Sequence, residues 1–407
     1  MTRDLAADLL RHGYHAIPDA RRRAGDPPVC PVKLLGDDAL VVSGPASVRR
    51  FYDSQIIRRA GAVPAPLAFL LFGRGAVHGL DGPEHLHRKA HFLDLLEDAD
   101  ATLQDLVRRH LSASLQDRHG ESVSVFTLLS EVYGRAILEW AGISVSHPDR
   151  VGRRLAAIVD GFGVSGPSYA SAWAARLWAN RWARGLIREA RTAATPSSAQ
   201  SSAHSSAPPS TPVEIIAAWR DPHGELLPVS VAAVELLNVL RPAVAVAYLG
   251  TFAVQALDDE PELRSKLVED PSRRHAFTQE VRRLFPFVPA LAGITRRHAD
   301  WDGQPVAPGQ RVVLDVPGTN LDPGSWTAPY TFSAERFVDR DVDPFELVPQ
   351  GGGDPAEGHR CPGEPSTIAM IAATVEIFAG ASWSVVERGS TYPRIPARER
   401  LRIRIDQ

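Results

Sequence analysis

Between Val231 and Leu257 the chain carries an apolar run long enough for about seven helical turns. Glu235, Asn238, Arg241 and Pro242 stand in its first half. A bilayer accepts such a segment poorly, because one central arginine costs about 2.5–3.5 kcal/mol on insertion scales. A helix buried inside a large protein fits better. With 407 residues, 44% of them hydrophobic and 23% charged, there is enough chain to build a core around it.

A net charge of −3 lacks the basic surface that nucleic acid requires. Cys30 and Cys361 are too few for a disulfide-stapled secreted protein, which points to a reducing cytoplasm. Asp4 and Asp8 interrupt the apolar run a signal peptide needs.

Apolar residues at three- and four-residue spacing predict helices over 85–97, 103–115, 123–141 and 150–159. Trp173, Trp178 and Trp182 put an aromatic face on a helix over 167–190, which is either core packing or a lid over a channel. Further helices are expected over 230–257, from 273 to a stop at Pro286, and over 365–379. Residues 299–316 read as strand and hairpin, and 40–43 and 400–405 as strands. The class is mainly α with a small β subdomain. Residues 192–212 have no apolar face and read as a low-complexity surface insertion in a single domain spanning 1–407.

The strongest local motif is Gln350-Gly-Gly-Gly-Asp-Pro-Ala-Glu-Gly-His359-Arg360-Cys361-Pro-Gly-Glu364, followed by a helix. A thiolate ligand needs its charge stabilised by a metal, by backbone N–H groups and by the positive end of a helix. A glycine-rich loop running into a helix offers those donors, although a structural cysteine in such a turn satisfies the same local pattern. Arg360 is placed to pair with a carboxylate. Cys30 reads as a structural cysteine in an N-terminal loop.

Upstream, Glu280 and Arg283 share a helix face. Then come Gly318-Thr319-Asn320-Leu321-Asp322-Pro323 and Glu335-Arg336-Phe337. This order, ending in Cys-Pro-Gly, resembles the C-terminal half of a cytochrome P-450. The resemblance implies the cytochrome P-450 fold, haem b as cofactor, Cys361 as the iron ligand, and a buried network of Glu280, Arg283 and Arg336. Two loop positions depart from the usual pattern: Asp354 stands where most members have phenylalanine, and Glu357 where they have glycine.

The long helix departs too. It has no acid followed by threonine or serine at its middle, the pair that delivers protons to bound oxygen in ordinary members. It has Asn238-Val-Leu-Arg241-Pro242 instead. Pro242 removes a helix hydrogen bond. Arg241 is a permanent cation in an apolar stretch and needs an anion. That anion is Glu235, a haem propionate, or a substrate carboxylate held by the forked guanidinium.

Asn-x-x-Arg-Pro, together with residues 71–92, Gly161 to Pro167, Glu280 to Pro289 and the triple-glycine cysteine loop, resembles the bacterial fatty-acid peroxygenases of that superfamily. The resemblance spans nearly the whole chain. It implies hydrogen peroxide as oxidant with no reductase, and a fatty acid whose carboxylate pairs with Arg241 beside Pro242 and does the acid–base work itself. Oxidation then falls on the α or β carbon and yields hydroxy acids or terminal alkenes. It further implies His78 as the pocket residue bearing on that choice, and Phe72, Val164 and Phe287 as pocket lining. His87, Arg59 and Arg360 become cofactor contacts. His87 and His91 share a face as zinc ligands would, but no third ligand is evident.

Overall fold

The computed structural model describes residues 4–194, 209–285, 287–390, 394–397 and 399–406. Eight helices of 13 or more residues carry the molecule: α1 (Gly82–Leu96), α2 (Ala99–Asp117), α3 (Val125–Trp140), α4 (Pro148–Asp160), α5 (Pro167–Ala193), α6 (Val229–Asp259), α7 (Pro271–Leu284) and α8 (Glu364–Gly380). Helix α6 is the axle, packing against α3, α5 and α8. It is the one described helix long and apolar enough to cross a membrane, and most of that span is buried inside the protein instead. From Ala232 to Leu257 every residue is buried except Pro242 and Ala243. The Tyr133 hydroxyl and the Thr374 hydroxyl, 2.7 Å apart, tie α3 to α8 inside this core.

Three small sheets complete the fold. β1 (Val29–Leu34), β2 (Asp37–Val42), β3 (Ile57–Arg58), β5 (Ala290–Thr295) and β8 (Arg311–Asp315) form a sheet in the order β1-β2-β8-β5-β3. In it β2 and β8 run parallel, Leu40 opposite Val312. β4 (Ser122–Ser124), β9 (Trp383–Ser390) and β10 (Glu399–Ile405) form a second sheet, and β6 (Ala299–Trp301) with β7 (Gln304–Val306) a hairpin. Alternation explains β10: Leu401, Ile403 and Ile405 point inward, Arg402 and Arg404 outward.

The expected elements occur within a few residues of their predicted bounds. Cys30 is a correction: it sits buried in β1, not in a loop, because β1 pairs with β2 in register, Cys30 opposite Val41. Pro286 and most of the 192–212 stretch lie outside the described residues. Helix α5 turns Ala172, Arg176, Ala179 and Ala183 inward. Its tryptophans are half-buried against the main core, Trp178 stacked on Trp182 at 5.3 Å.

Candidate active site

The cysteine loop is shaped by its glycines. Gly351 has φ +100°, and a Cβ there would lie 2.5 Å from the Tyr52 hydroxyl and 3.1 Å from the Arg360 Cα. This tightness brings the Cys361 N–H 3.0 Å from the Gln350 carbonyl, just before α8 begins. Burial raises the Cys361 thiol pKa, and the Gly363 N–H works against that rise. Such a sulfur becomes an anion when a metal takes it.

Basic side chains surround the loop. Lys89 Nζ donates to the Gly358 carbonyl at 3.0 Å and to the Arg360 carbonyl, and burial lowers its pKa to about 8. Arg59 lies over the Phe51 ring at 4.5 Å, and its Nη1 is buried with no partner. His85 stacks on His359 at 3.8 Å, and burial brings their pKa values down to about 3 and about 4. Asp81 accepts from the Arg59 and Ala60 N–H groups at 2.9 Å, holding this strand end against the start of α1. Arg360 is pinned into the loop, Nε on Glu364 at 2.6 Å and Nη1 on the Gly353 carbonyl at 2.9 Å.

His87 is not part of this group. Its Nε2 lies 3.1 Å from the Arg220 carbonyl, as does that of His91. Helix geometry is the reason: His85, Arg88, Lys89 and Phe92 recur on the buried face of α1, and a residue two positions after His85 falls on the opposite side. The cofactor contact expected of His87 therefore has no support in this geometry; His85 and Lys89 face the loop. No group of three His, Cys, Asp or Glu is placed to hold a metal ion among the described residues. A half-buried thiol beside a helix start, an orphaned Arg59 donor and a buried lysine are the donor set for a sulfur-ligated group bearing carboxylates, and haem fits it.

The long helix supplies the other wall. Arg241 is only 5% exposed, and no carboxylate pairs with it among the described residues. Glu235 is not its partner, which removes one of the three anions considered above. The Glu235 carboxylate is fully committed: Oε1 accepts from Arg88 Nη1 at 2.7 Å and Val77 N at 2.9 Å, and Oε2 from Asn238 Nδ2 at 2.9 Å. Burial, with the Arg176 charge next, brings the Arg241 pKa down to about 9 against the opposing pull of Cys361. Arg241 is thus a cation at neutral pH. Beside it, Pro242 and Ala243 form the one open arc on the otherwise buried 232–257 span.

Phe72 stacks on His78 with centroids 4.2 Å apart. Desolvation, with Arg241 next, holds the His78 pKa well below the ordinary histidine value. Phe287 packs on Tyr248 at 5.0 Å, in a cluster with Ala245, one turn after Arg241. Val164 is half-buried in the turn between α4 and α5, and its neighbour Gly163 packs on Ile395.

Glu280, Arg283 and Arg336 are joined as one unit. Arg283 grips Glu280 through two bonds of 2.7 Å, and Arg336 Nε reaches the same carboxylate at 3.2 Å. The remaining guanidinium hydrogens go to the carbonyls of Asn320, Pro329, Thr327, Ala328 and Thr331.

Sequence reasoning missed Arg88, Lys89, His359 and Arg176. The first two had a signal, since they stand three and four residues after His85 and share its helix face. Arg88's partner is 147 residues away, so nothing local points to it.

No protein-family model matches the chain. Among curated proteins, cytochrome P450 71B20 of Arabidopsis thaliana is 36% identical over 98 residues, 23% of this chain and 19% of the plant protein. Ferruginol synthase of Salvia miltiorrhiza is 31% identical over 119 residues, 27% and 23%. The chain thus aligns with a minor part of these relatives' length. Among solved structures, cytochrome P450SP alpha (CYP152B1) in complex with (R)-ibuprophen is 31% identical with a TM-score of 0.89, over 99% of this chain and 98% of that one. A cytochrome P450 OleT variant in complex with arachidonic acid is 29% identical with a TM-score of 0.91, over 98% and 96%.

Proposed function

The chain belongs to the cytochrome P450 superfamily, with OleT and P450SP alpha in the CYP152 family, and on that premise we propose that it is a cytoplasmic haem-thiolate peroxygenase of fatty acids. It uses hydrogen peroxide, without a reductase, to oxidise medium- to long-chain acids at the α or β carbon. The products are hydroxy acids and, where decarboxylation intervenes, terminal alkenes. One observation carries this reading: Arg241 is a buried cation with no carboxylate partner among the described residues, beside the one break at Pro242 and Ala243 in the otherwise buried 232–257 span. Both ligands named for the two solved neighbours carry a carboxyl group.

Haem b bound through the Cys361 thiolate supplies the oxidising centre, the sulfur donating electron density that favours O–O cleavage. Arg59, His85 and Lys89 are the side chains offered to its carboxylates. Arg241 takes the substrate carboxylate in a forked, charge-assisted pair. Fixing the acid head fixes the α and β carbons relative to it.

Helix α6 gives no side chain to handle the peroxide proton. Glu235 is held by three donors, and the Thr251 hydroxyl donates to the Ala247 carbonyl at 2.7 Å. That task falls to the carboxylate Arg241 holds. His78, neutral at pH 7 because its pKa is depressed, can exchange one proton at its ring nitrogen, which an amide cannot do.

Turnover of a C12–C18 acid series with peroxide alone, followed by mass spectrometry, tests the reading. Product with peroxide is the expected result; product only with a reductase system refutes it in favour of a monooxygenase. Perturbation of the haem spectrum by a fatty acid without peroxide-driven product would instead indicate a sensor. In the same assay, His78→Gln is expected to lower the alkene fraction relative to hydroxy acid, and an unchanged ratio strips His78 of its role.

A further inference from the structure

Arg176 is fully buried on α5, at 0% exposure, and none of its three guanidinium nitrogens has a partner. No carboxylate pairs with it among the described residues. Its surroundings are defined by Gly73. A Cβ on Gly73, which has φ +94°, would lie 2.1 Å from Arg176 Nη2 and 2.8 Å from Val234 Cγ2. The guanidinium is therefore wedged between the Gly73 backbone and α6 at Val234. Val234 stands seven residues before Arg241, which puts the two on one face of the helix, about 10 Å apart along its axis. Gly73 in turn directly follows Phe72, in the segment that carries His78. Arg176 thus sits under the wall of the site and beside the helix that holds Arg241.

We propose that Arg176 is a second cation of the acid-binding site, a positioning residue whose buried charge adds to Arg241's hold on the substrate carboxylate. This rests on the reading of Arg241 given above. A buried charge unmatched by an anion is costly to keep, so its retention in a packed interior is explained if a ligand anion enters its field. Burial brings its pKa down to about 10, so the charge persists at neutral pH. Salt screens such a charge little, because no solvent lies against it. The acyl chain feels none of this; only the acid head does.

The test compares binding of dodecanoate and of 1-dodecanol, a neutral analogue of the same length, to the haem-loaded enzyme. For a separation like the roughly 10 Å between Val234 and Arg241 along the helix, Coulomb attraction at an effective permittivity of about 20 predicts that Arg176→Gln raises the dodecanoate Kd about ten- to twentyfold and leaves the dodecanol Kd within about twofold. Arg176→Lys, which keeps the charge, is expected to retain most of the affinity. Should the glutamine variant fail to load cofactor, Val234→Glu sets a carboxylate against the retained arginine and is expected to give the same ordering. Equal loss for both ligands means that Arg176 only packs, and no loss for either means that its charge does not reach the site; both results overturn the proposal. Arg241→Gln, measured alongside, separates the two claims. If it weakens dodecanoate and Arg176→Gln does not, only the second cation is refuted. If Arg241→Gln itself leaves dodecanoate binding unchanged, the proposed substrate site is refuted.

Discussion

Replacing Arg241 by alanine is expected to lower kcat/KM for fatty acids by at least about thirtyfold, because a buried charge-assisted pair to a carboxylate contributes about 2–5 kcal/mol. The same substitution should leave cofactor loading intact. Glu235, Arg88 and Asn238 hold this part of α6 without help from Arg241. The ligand-free protein should lose no thermal stability, since the change removes an uncompensated buried charge rather than half of a pair. The measurements are steady-state turnover with peroxide, haem content, and the thermal midpoint without fatty acid. Near-normal turnover would remove Arg241 from the substrate site. A collapse in haem content would make it a structural residue.

Glu280→Ala should behave in the opposite way. Arg283 and Glu280 are both 0% exposed, and Arg336 shares the carboxylate. Deleting it leaves one fully buried guanidinium and a second, mostly buried one without an anion, at a cost of about 3–5 kcal/mol. The expected result is a large drop in the denaturation midpoint and poor cofactor loading. Glu280→Gln, which keeps the shape and some of the hydrogen bonds, should lie between. Equal stability of the alanine variant and the parent protein, by urea denaturation, would contradict the network's structural role. Two arginines on buried helix faces are thus told apart by what surrounds them: Arg283 is balanced by the protein and Arg241 is not.

That contrast also marks what could be read from the amino-acid order. Helix α6 announced itself because a long apolar run has few places to go. The cysteine loop and the Glu280–Arg283 pair did so because their chemistry is compressed into a few residues. What lay beyond reach depended on pairings across the chain. Whether Glu235 or a ligand answers Arg241 turns on Arg88 and Val77, both more than 140 residues upstream of Glu235. The parallel pairing of β2 with β8 joins residues 39–42 to 311–314 and has no local signature. The choice of His85 over His87 was legible in principle, since it follows from which face of α1 is apolar, but the resemblance pointed the other way. Arg176 had the weakest signal: an arginine in line with three alanines on the inner face of α5.

Glu235 also grips the backbone N–H of Val77, the residue just before His78. The imidazole at the pocket rim and the guanidinium that receives the acid head are therefore mounted on a common bracket. Slackening that bracket through Arg88 or Asn238 would let the rim shift along the acyl chain while the head group stays seated. Partition between products, rather than total turnover, is the quantity such a shift would move.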